Sequence, residues 1–309
     1  MIDIRLLKYV VAVNETKSFS RAAELLRVAQ PSLSQQIAKL ERHLGVRLFF
    51  RTHTGITPTP EGINFVEKAI RIIRLDEDLE REMKEHSHGI GQELSIGTTA
   101  ITGGHVLPPL LQVFSKRFPQ VRIRLVETSS EQLEDFTKKG EVDFSILSLP
   151  LKNPQLTYAP LLTEPLLLAL PQTEQEWMSK TVLDWVSSNS EFSQSIFDLV
   201  QVSNMPFVLL KEGFGFRETV LQICAEQGFQ PHIAYETSSI ETAQSLVAHG
   251  LGITVIPKMV AHQDKGSPKY VPIQSAPTRT LVFAYSKERY LCLAAQKFLE
   301  AFSDKAAGH

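Results

Sequence analysis

Residues 18–44 read SFSRAAELLRVAQPSLSQQIAKLERHL, and this stretch decides the architecture of the N-terminal part of the chain. Two short amphipathic helices are joined by a tight turn. Ser18 or Ser20 can cap the first helix, because a hydroxyl accepts from the orphan amides of the first turn. Ala22, Ala23 and Leu26 form its inner face, with the alanines small enough for close packing. Val28 fills the turn. Pro31 suits the first turn of the next helix, where a missing N–H costs nothing. Leu33, Ile37, Leu40 and Leu44 then follow at spacings of four, three and four, which is one buried stripe. The opposite face carries Ser32, Ser34, Gln35, Gln36 and Lys39. This pattern predicts a helix-turn-helix whose second helix enters the DNA major groove. An ordinary amphipathic hairpin lacks the combination of an Ala-Ala pair, a short turn and a Pro-Ser start.

The candidate contacts to double-stranded DNA follow from this placement. Ser20, Arg21, Gln30, Pro31, Ser32, Ser34, Gln35 and Lys39 lie on the exposed faces or at helix starts, within reach of base edges or phosphates. Leu48-Phe49-Phe50-Arg51 reads as a short strand, and Thr52-His53-Thr54-Gly55-Ile56-Thr57 as a turn. Together they predict a β-wing that brings Arg51, His53 and Thr54 to the backbone; the competing reading is a surface hairpin without a ligand.

The run SFSRAAELLRVAQPSLSQQIAKLERHLGVRLFFRT, followed by GITPTPEG, resembles the signature of the LysR-type transcriptional regulators. The rest of the chain follows that family's layout more loosely. The resemblance implies a winged helix-turn-helix, a linker helix that pairs antiparallel with its mate, and a two-lobed α/β effector domain like a periplasmic binding protein.

Charge distribution agrees with a modular DNA binder. Residues 1–58 hold nine Lys/Arg and four Asp/Glu, a net of +5, whereas the remainder holds 23 and 30, a net of −7. A basic module on an acidic body directs nucleic acid to one face. Apolar residues make up 43% of the 309, an ordinary globular share that argues against disorder. Only Cys224 and Cys292 are present, which is no disulfide framework and fits a reducing cytoplasm. They are either buried free thiols or a redox pair, the latter making a redox-responsive regulator. The N-terminus lacks signal-peptide architecture, and the most apolar stretch, Pro160 to Pro171, is too short and proline-punctuated for a membrane span. No metal cluster, P-loop, GxSxG or dinucleotide fingerprint is present, so an enzyme is not expected and no cofactor or metal is implied.

The domains expected are residues 1–58, a linker and dimerisation helix over 59–88, and an effector domain over 92–305. Thr59-Pro60-Glu61 is a helix start. Phe65, Ala69, Ile72, Leu79 and Met83 form an apolar seam, interrupted at Asp76, that suggests a partner helix in a homodimer or homotetramer. From Glu93, strands and helices alternate, predicting a mostly parallel sheet in two lobes, about 92–162 with 268–305, and about 163–267. Residues 172–205 depart from the pattern, with helical turns at Glu174–Val186 and Glu191–Val200. Trp177, Trp185 and Phe197 anchor them, either as a surface insertion packed on its own aromatics or as a lid or subunit contact.

In open α/β sheets, ligands sit beyond strand ends, at helix starts. Thr99, Ala100, Ile101 and Thr102 follow the first strand, and Thr128 and Ser129 the second. Gly215 and Arg217 open one helix of the second lobe, and Ser238 precedes another. Their amides and hydroxyls suit a small, anionic effector. The family resemblance supports Thr99, Thr102, Thr128 and Ser129 most; Ile101 stands where some relatives have a hydroxyl, and Arg217 is either an anion partner or a local ion pair. A cytoplasmic small-molecule-binding protein remains the alternative.

Overall fold

The computed structural model describes residues 2–52, 55–90, 93–187, 196–262, 264 and 266–303. By internal contacts the chain divides into two units, at His88 and Gly89.

The first unit begins with α1 (Ile4–Thr16), capped by Asp3, whose carboxylate accepts from the Leu6 amide at 2.9 Å. Next come α2 (Phe19–Leu25) and α3 (Gln30–Leu44). Ser18, of the two candidate hydroxyls, caps α2 by accepting from the Arg21 amide. Ala22 and Ala23 are buried, which lets the helices approach closely. Leu33, Ile37 and Leu40 are buried on α3 as the spacing predicts, and Leu44 packs half-buried beside them. Pro31 lies in the first turn of α3, and Gly45 ends the helix at φ 72°, a conformation that costs glycine little. The wing forms from β1 (Phe49–Thr52) and β2 (Gly55–Pro58), paired antiparallel.

The long helix α4 (Pro60–His88) starts where Thr59 predicts. Thr59 Oγ1 accepts from the Gly62 amide at 2.9 Å and donates to the Arg47 carbonyl at 2.7 Å. Gly62 is required for packing: a Cβ there would stand 2.0 Å from the Leu48 carbonyl oxygen. The expected seam needs one correction. Phe65 and Ala69 pack, with Val66, into the unit's own core, leaving no seam at that end. Ile72, Leu75, Leu79 and Met83 are about half exposed, and at spacings of three, four and four they form one stripe. Leu75, not considered in the expected seam, continues it past Asp76.

The second unit runs through β3 (Glu93–Thr98), α5 (Ala100–His105), α6 (Leu107–Arg117), β4 (Arg122–Glu127), α7 (Ser130–Lys139) and β5 (Phe144–Ser148). It continues with β6 (Leu156–Leu170), α8 (Lys180–Ser187), β7 (Pro206–Leu210), α9 (Gly215–Glu226), β8 (His232–Thr237) and α10 (Ile240–Ala248). The chain closes with β9 (Thr254–Pro257), β10 (Lys269–Pro272), β11 (Thr278–Ser286) and α11 (Leu293–Ser303). The sheet is mixed rather than mostly parallel. β4, β3 and β5 are parallel, but β11 runs antiparallel to both β5 and β6, and β6 pairs antiparallel with β9 and β10. The returning strand β11 causes the reversal. The 15 residues of β6 span two apolar cores, one on β3, β5 and β11, the other on β7, α9 and β9.

Residues 172–205 are not a surface insertion resting on their own aromatics. Met178, Val182, Phe197, Leu199 and Val202 belong to the core of the second lobe. Trp177 donates its indole N–H to the Gly250 carbonyl at 3.1 Å, and Phe197 bridges to Ile273. The Trp185 side chain and residues 188–195 lie outside the described residues.

Candidate nucleic-acid interface and effector cleft

The outer face of α3 presents Gln30, Pro31, Ser32, Gln35 and Lys39 to solvent, with Ser34 half-buried among them. Ser20 and Arg21 are exposed at the start of α2. The sole acid on α3, Glu41, is turned away from this face. Its carboxylate accepts from the Leu48 amide at 2.7 Å and the Phe49 amide at 3.2 Å, tying the recognition helix to the root of the wing. The α3 face is therefore polar and cationic without a carboxylate, as a surface meeting phosphates and base edges requires. Sequence reasoning missed Glu41, because an acid near the end of a helix gives no hint that it caps a strand. His53, Thr54 and the Arg51 side chain lie outside the described residues.

In the second unit, a cleft between the lobes is lined by Thr99, Ala100, Ile101, Thr102, Gly215 and Ser238 from the expected set. Thr99 Oγ1 donates to Thr102 Oγ1 at 3.2 Å. Ile101 is buried, and it inserts from the first lobe into the core of the second. That anchoring explains α5, which sequence reasoning did not foresee because two of its six residues are glycines.

Three expected residues fall outside the lining. Thr128 bonds Gln132, and Ser129 accepts from the Gln132 amide at 3.4 Å as the cap of α7. Arg217 donates to the Leu210 carbonyl at 2.7 Å and pairs with Glu236, so its charge is engaged inside its own lobe. In their place the cleft gains Ser130, Ser148, Phe214, Phe216 and Arg279. The Ser130 hydroxyl accepts from the Gly215 amide at 3.2 Å, joining the lobes at the helix start expected to receive an anion.

Arg279 is the buried cation of the cleft. It faces Glu164 across the β11–β6 ladder, with Nε 2.6 Å from the carboxylate, and stacks over Phe216 at 5.4 Å. Burial pushes the guanidinium below its usual range, and Glu164 opposes that shift. No local signal marks it, since one arginine in an apolar strand reads as an edge residue.

A second cavity, of about 90 Å³, adjoins this one of about 30 Å³ and shares Ser130, Leu147, Ser148 and Gly215 with it. At roughly 10–15 Å³ per water, the pair admits only a small molecule in this conformation. Lys152 reaches from the first lobe to Glu218 of the second at 2.5 Å, and that bond raises the lysine's pKa.

Both cysteines are buried, Cys224 in the core of the second lobe and Cys292 in that of the first. Burial pushes the Cys224 thiol up to about 11. Its folded pKa exceeds the ordinary value of 9.0, so its contribution to stability is full below about pH 9 and lost as pH rises through about 11. Native protein should therefore resist iodoacetamide at Cys224 at pH 8, and label only after unfolding, as read by mass spectrometry.

A helix-turn-helix with a wing, joined by a long helix to a two-lobed α/β unit with a cleft, defines a ligand-responsive DNA-binding regulator. Residues 4–63 match the bacterial regulatory helix-turn-helix model of the lysR family, and residues 87–307 match the LysR substrate binding domain. The chain belongs to the LysR family of transcriptional regulators, with a DNA-binding helix-turn-helix and an effector-binding domain, and it is not an enzyme. It is 51% identical to the uncharacterized HTH-type transcriptional regulator YcgK of Bacillus subtilis (strain 168), over 97% of this chain and 93% of that one. It is 28% identical to the DNA-binding transcriptional dual regulator OxyR of Escherichia coli (strain K12), over 100% and 97%. Among solved structures, a full-length OxyR variant from Pseudomonas aeruginosa, in which an aspartate replaces a cysteine, matches with a TM-score of 0.67 and 26% identity, over 98% and 94%. No described helix is long and apolar enough to cross a membrane.

Proposed function

We propose that this regulator reads its operator with the outer face of α3 and adjusts that binding to a small, anionic metabolite held between the lobes, in the cytoplasm. The observation that carries the reading is the cleft itself: hydroxyls of Thr99, Thr102 and Ser238, the start of α9 and the buried Arg279 converge on one small space. A ligand that favours one arrangement of the lobes shifts the population of DNA-binding states. The domains proposed are 1–58 for DNA, 59–88 for pairing and 92–305 for the effector, with Ser20, Arg21, Gln30, Pro31, Ser32, Ser34, Gln35, Lys39, Arg51, His53 and Thr54 at the DNA.

Gln35→Ala should reduce discrimination between operator and random DNA by about 1–3 kcal/mol, the value of a lost bidentate base contact. Competition binding at fixed salt measures it, and unchanged selectivity would move the recognition face elsewhere. For the cleft, a thermal-shift screen of metabolites on the full chain should find a ligand that raises the melting temperature. Thr99→Val should weaken that ligand by about 1–3 kcal/mol while leaving ligand-free operator binding intact. Wild-type affinity in the variant would place the effector outside the cleft.

The relatives named as hydrogen peroxide-inducible activators raise a redox reading for this chain. The cysteines weigh against it. Both are buried, they lie in separate cores, and the Cys224 thiol is a poor nucleophile at neutral pH.

A further inference from the structure

We propose that the molecule held between the lobes is an aminocarboxylate, with its carboxylate on Arg279 and its ammonium on Glu131 and Glu218. This rests on the reading of the cleft as the effector site, and narrows its ligand from any small anion to one whose carboxylate is accompanied by an ammonium. The two cavities share four lining residues and so meet along one wall, where the Ser130–Gly215 hydrogen bond crosses between the lobes, and the chemistry on the two sides of that wall differs.

Arg279 stands on one side. Its side chain is 3% exposed, its Nε bonds Glu164, and its Nη2 approaches Glu164 and the Met259 sulfur. Its Nη1 makes no hydrogen bond among the described residues, although the side chain lines the cleft. Nη1 is not closed off in the interior but opens on the cleft, so a ligand acceptor can take its N–H directly. A carboxylate is the acceptor that best fits a guanidinium edge.

Glu131, Glu134 and Glu218 stand on the other side with Lys152. Glu134 accepts the backbone amides of Lys152 and Asn153, at 3.1 and 2.7 Å. Glu218 shares its charge with Lys152. Glu131 accepts no hydrogen bond among the described residues, and its carboxylate lies against Gly213 at the cavity wall. Three carboxylates thus face one ammonium, while the charge of Arg279 is already balanced by Glu164. A ligand bearing only negative charge would add to a negative space. A ligand that also carries an ammonium satisfies both sides.

The test uses the full chain and matched triplets: α- and ω-amino acids of about three to six carbons, each with its des-amino carboxylate and its decarboxylated amine. Titration calorimetry reads affinity. At least one amino acid should bind about tenfold or more tightly than its des-amino partner. In Glu131→Gln that advantage should fall to about twofold or less, with the des-amino carboxylate binding as before or better. A purely structural role for Glu131 would weaken both probes alike and would overturn the assignment. Removing Arg279 alone strands Glu164, so Glu164→Gln/Arg279→Gln keeps the interior neutral; it should lower amino-acid affinity about tenfold and leave the amine unchanged. Equal or tighter binding of des-amino acids or dicarboxylates overturns the aminocarboxylate and leaves the cleft reading standing. Silence from every triplet also overturns it, and the wider metabolite screen with Thr99→Val then decides the cleft separately.

Discussion

Arg279→Met should destabilise the effector domain by about 3–5 kcal/mol, because it leaves the buried Glu164 carboxylate without its counter-charge. Glu164 is 6% exposed and Arg279 5%, so water cannot replace the lost partner without local opening. The pair sits in register on β11 and β6, the strand that spans both cores, and Glu164 also accepts the Met259 amide at 3.1 Å. Loss of the arginine therefore disturbs both the ladder and the segment after β9. For a domain of this size the melting temperature should fall by roughly 6–20 °C, read as the effector-domain transition in calorimetry. Glu164→Gln/Arg279→Gln should recover much of that loss, because a neutral amide pair replaces an orphaned charge. If Arg279→Met melts with the wild type, the guanidinium contributes nothing to the interior and its placement in the cleft is wrong.

Leu79→Asp should convert the assembled protein to monomers. Ile72, Leu75, Leu79 and Met83 form an exposed stripe on α4 that the chain does not cover by itself. A second α4 packed along the stripe would bury all four, and a carboxylate at its centre would then lose its water without gaining a partner. A penalty of about 3 kcal/mol raises the dissociation constant more than a hundredfold. Sedimentation of the variant should show the monomer mass at concentrations where the wild type is assembled. Its first unit should keep its fold, since Leu79 lies beyond the part of α4 that packs on α1. A dimer of unchanged stability would place the contact on another face.

Local rules sufficed for the helix-turn-helix and the start of α4. The Ala-Ala pair, the Pro31 start, the stripe from Leu33 to Leu44 and the Thr59 cap each act over a few residues, and all recur in the structure. Periodicity likewise located most strands and helices of the second unit, since an alternating or helical apolar pattern reports which side of an element is dry. Family membership was legible too, because the helix-turn-helix signature is a contiguous run.

Tertiary structure decided the rest wherever the partner lies far along the chain. The sheet became mixed because β11 returns antiparallel between β5 and β6, and a strand's pattern does not encode its neighbour's direction. α5 forms despite two glycines because Ile101 is held by the core of the other lobe. Phe65 and Ala69 satisfy the same periodicity as Leu79, yet they face the chain's own core, and only the position of α1 separates the two cases. At the cleft, hydroxyls after strands are legible as candidates. Which of them line the space and which merely cap α7 depends on how the lobes close. Arg279 and Glu164 stand 115 positions apart, and their pairing exists only once β6 and β11 are in register, because burial makes a charge demand a partner and the fold alone supplies it.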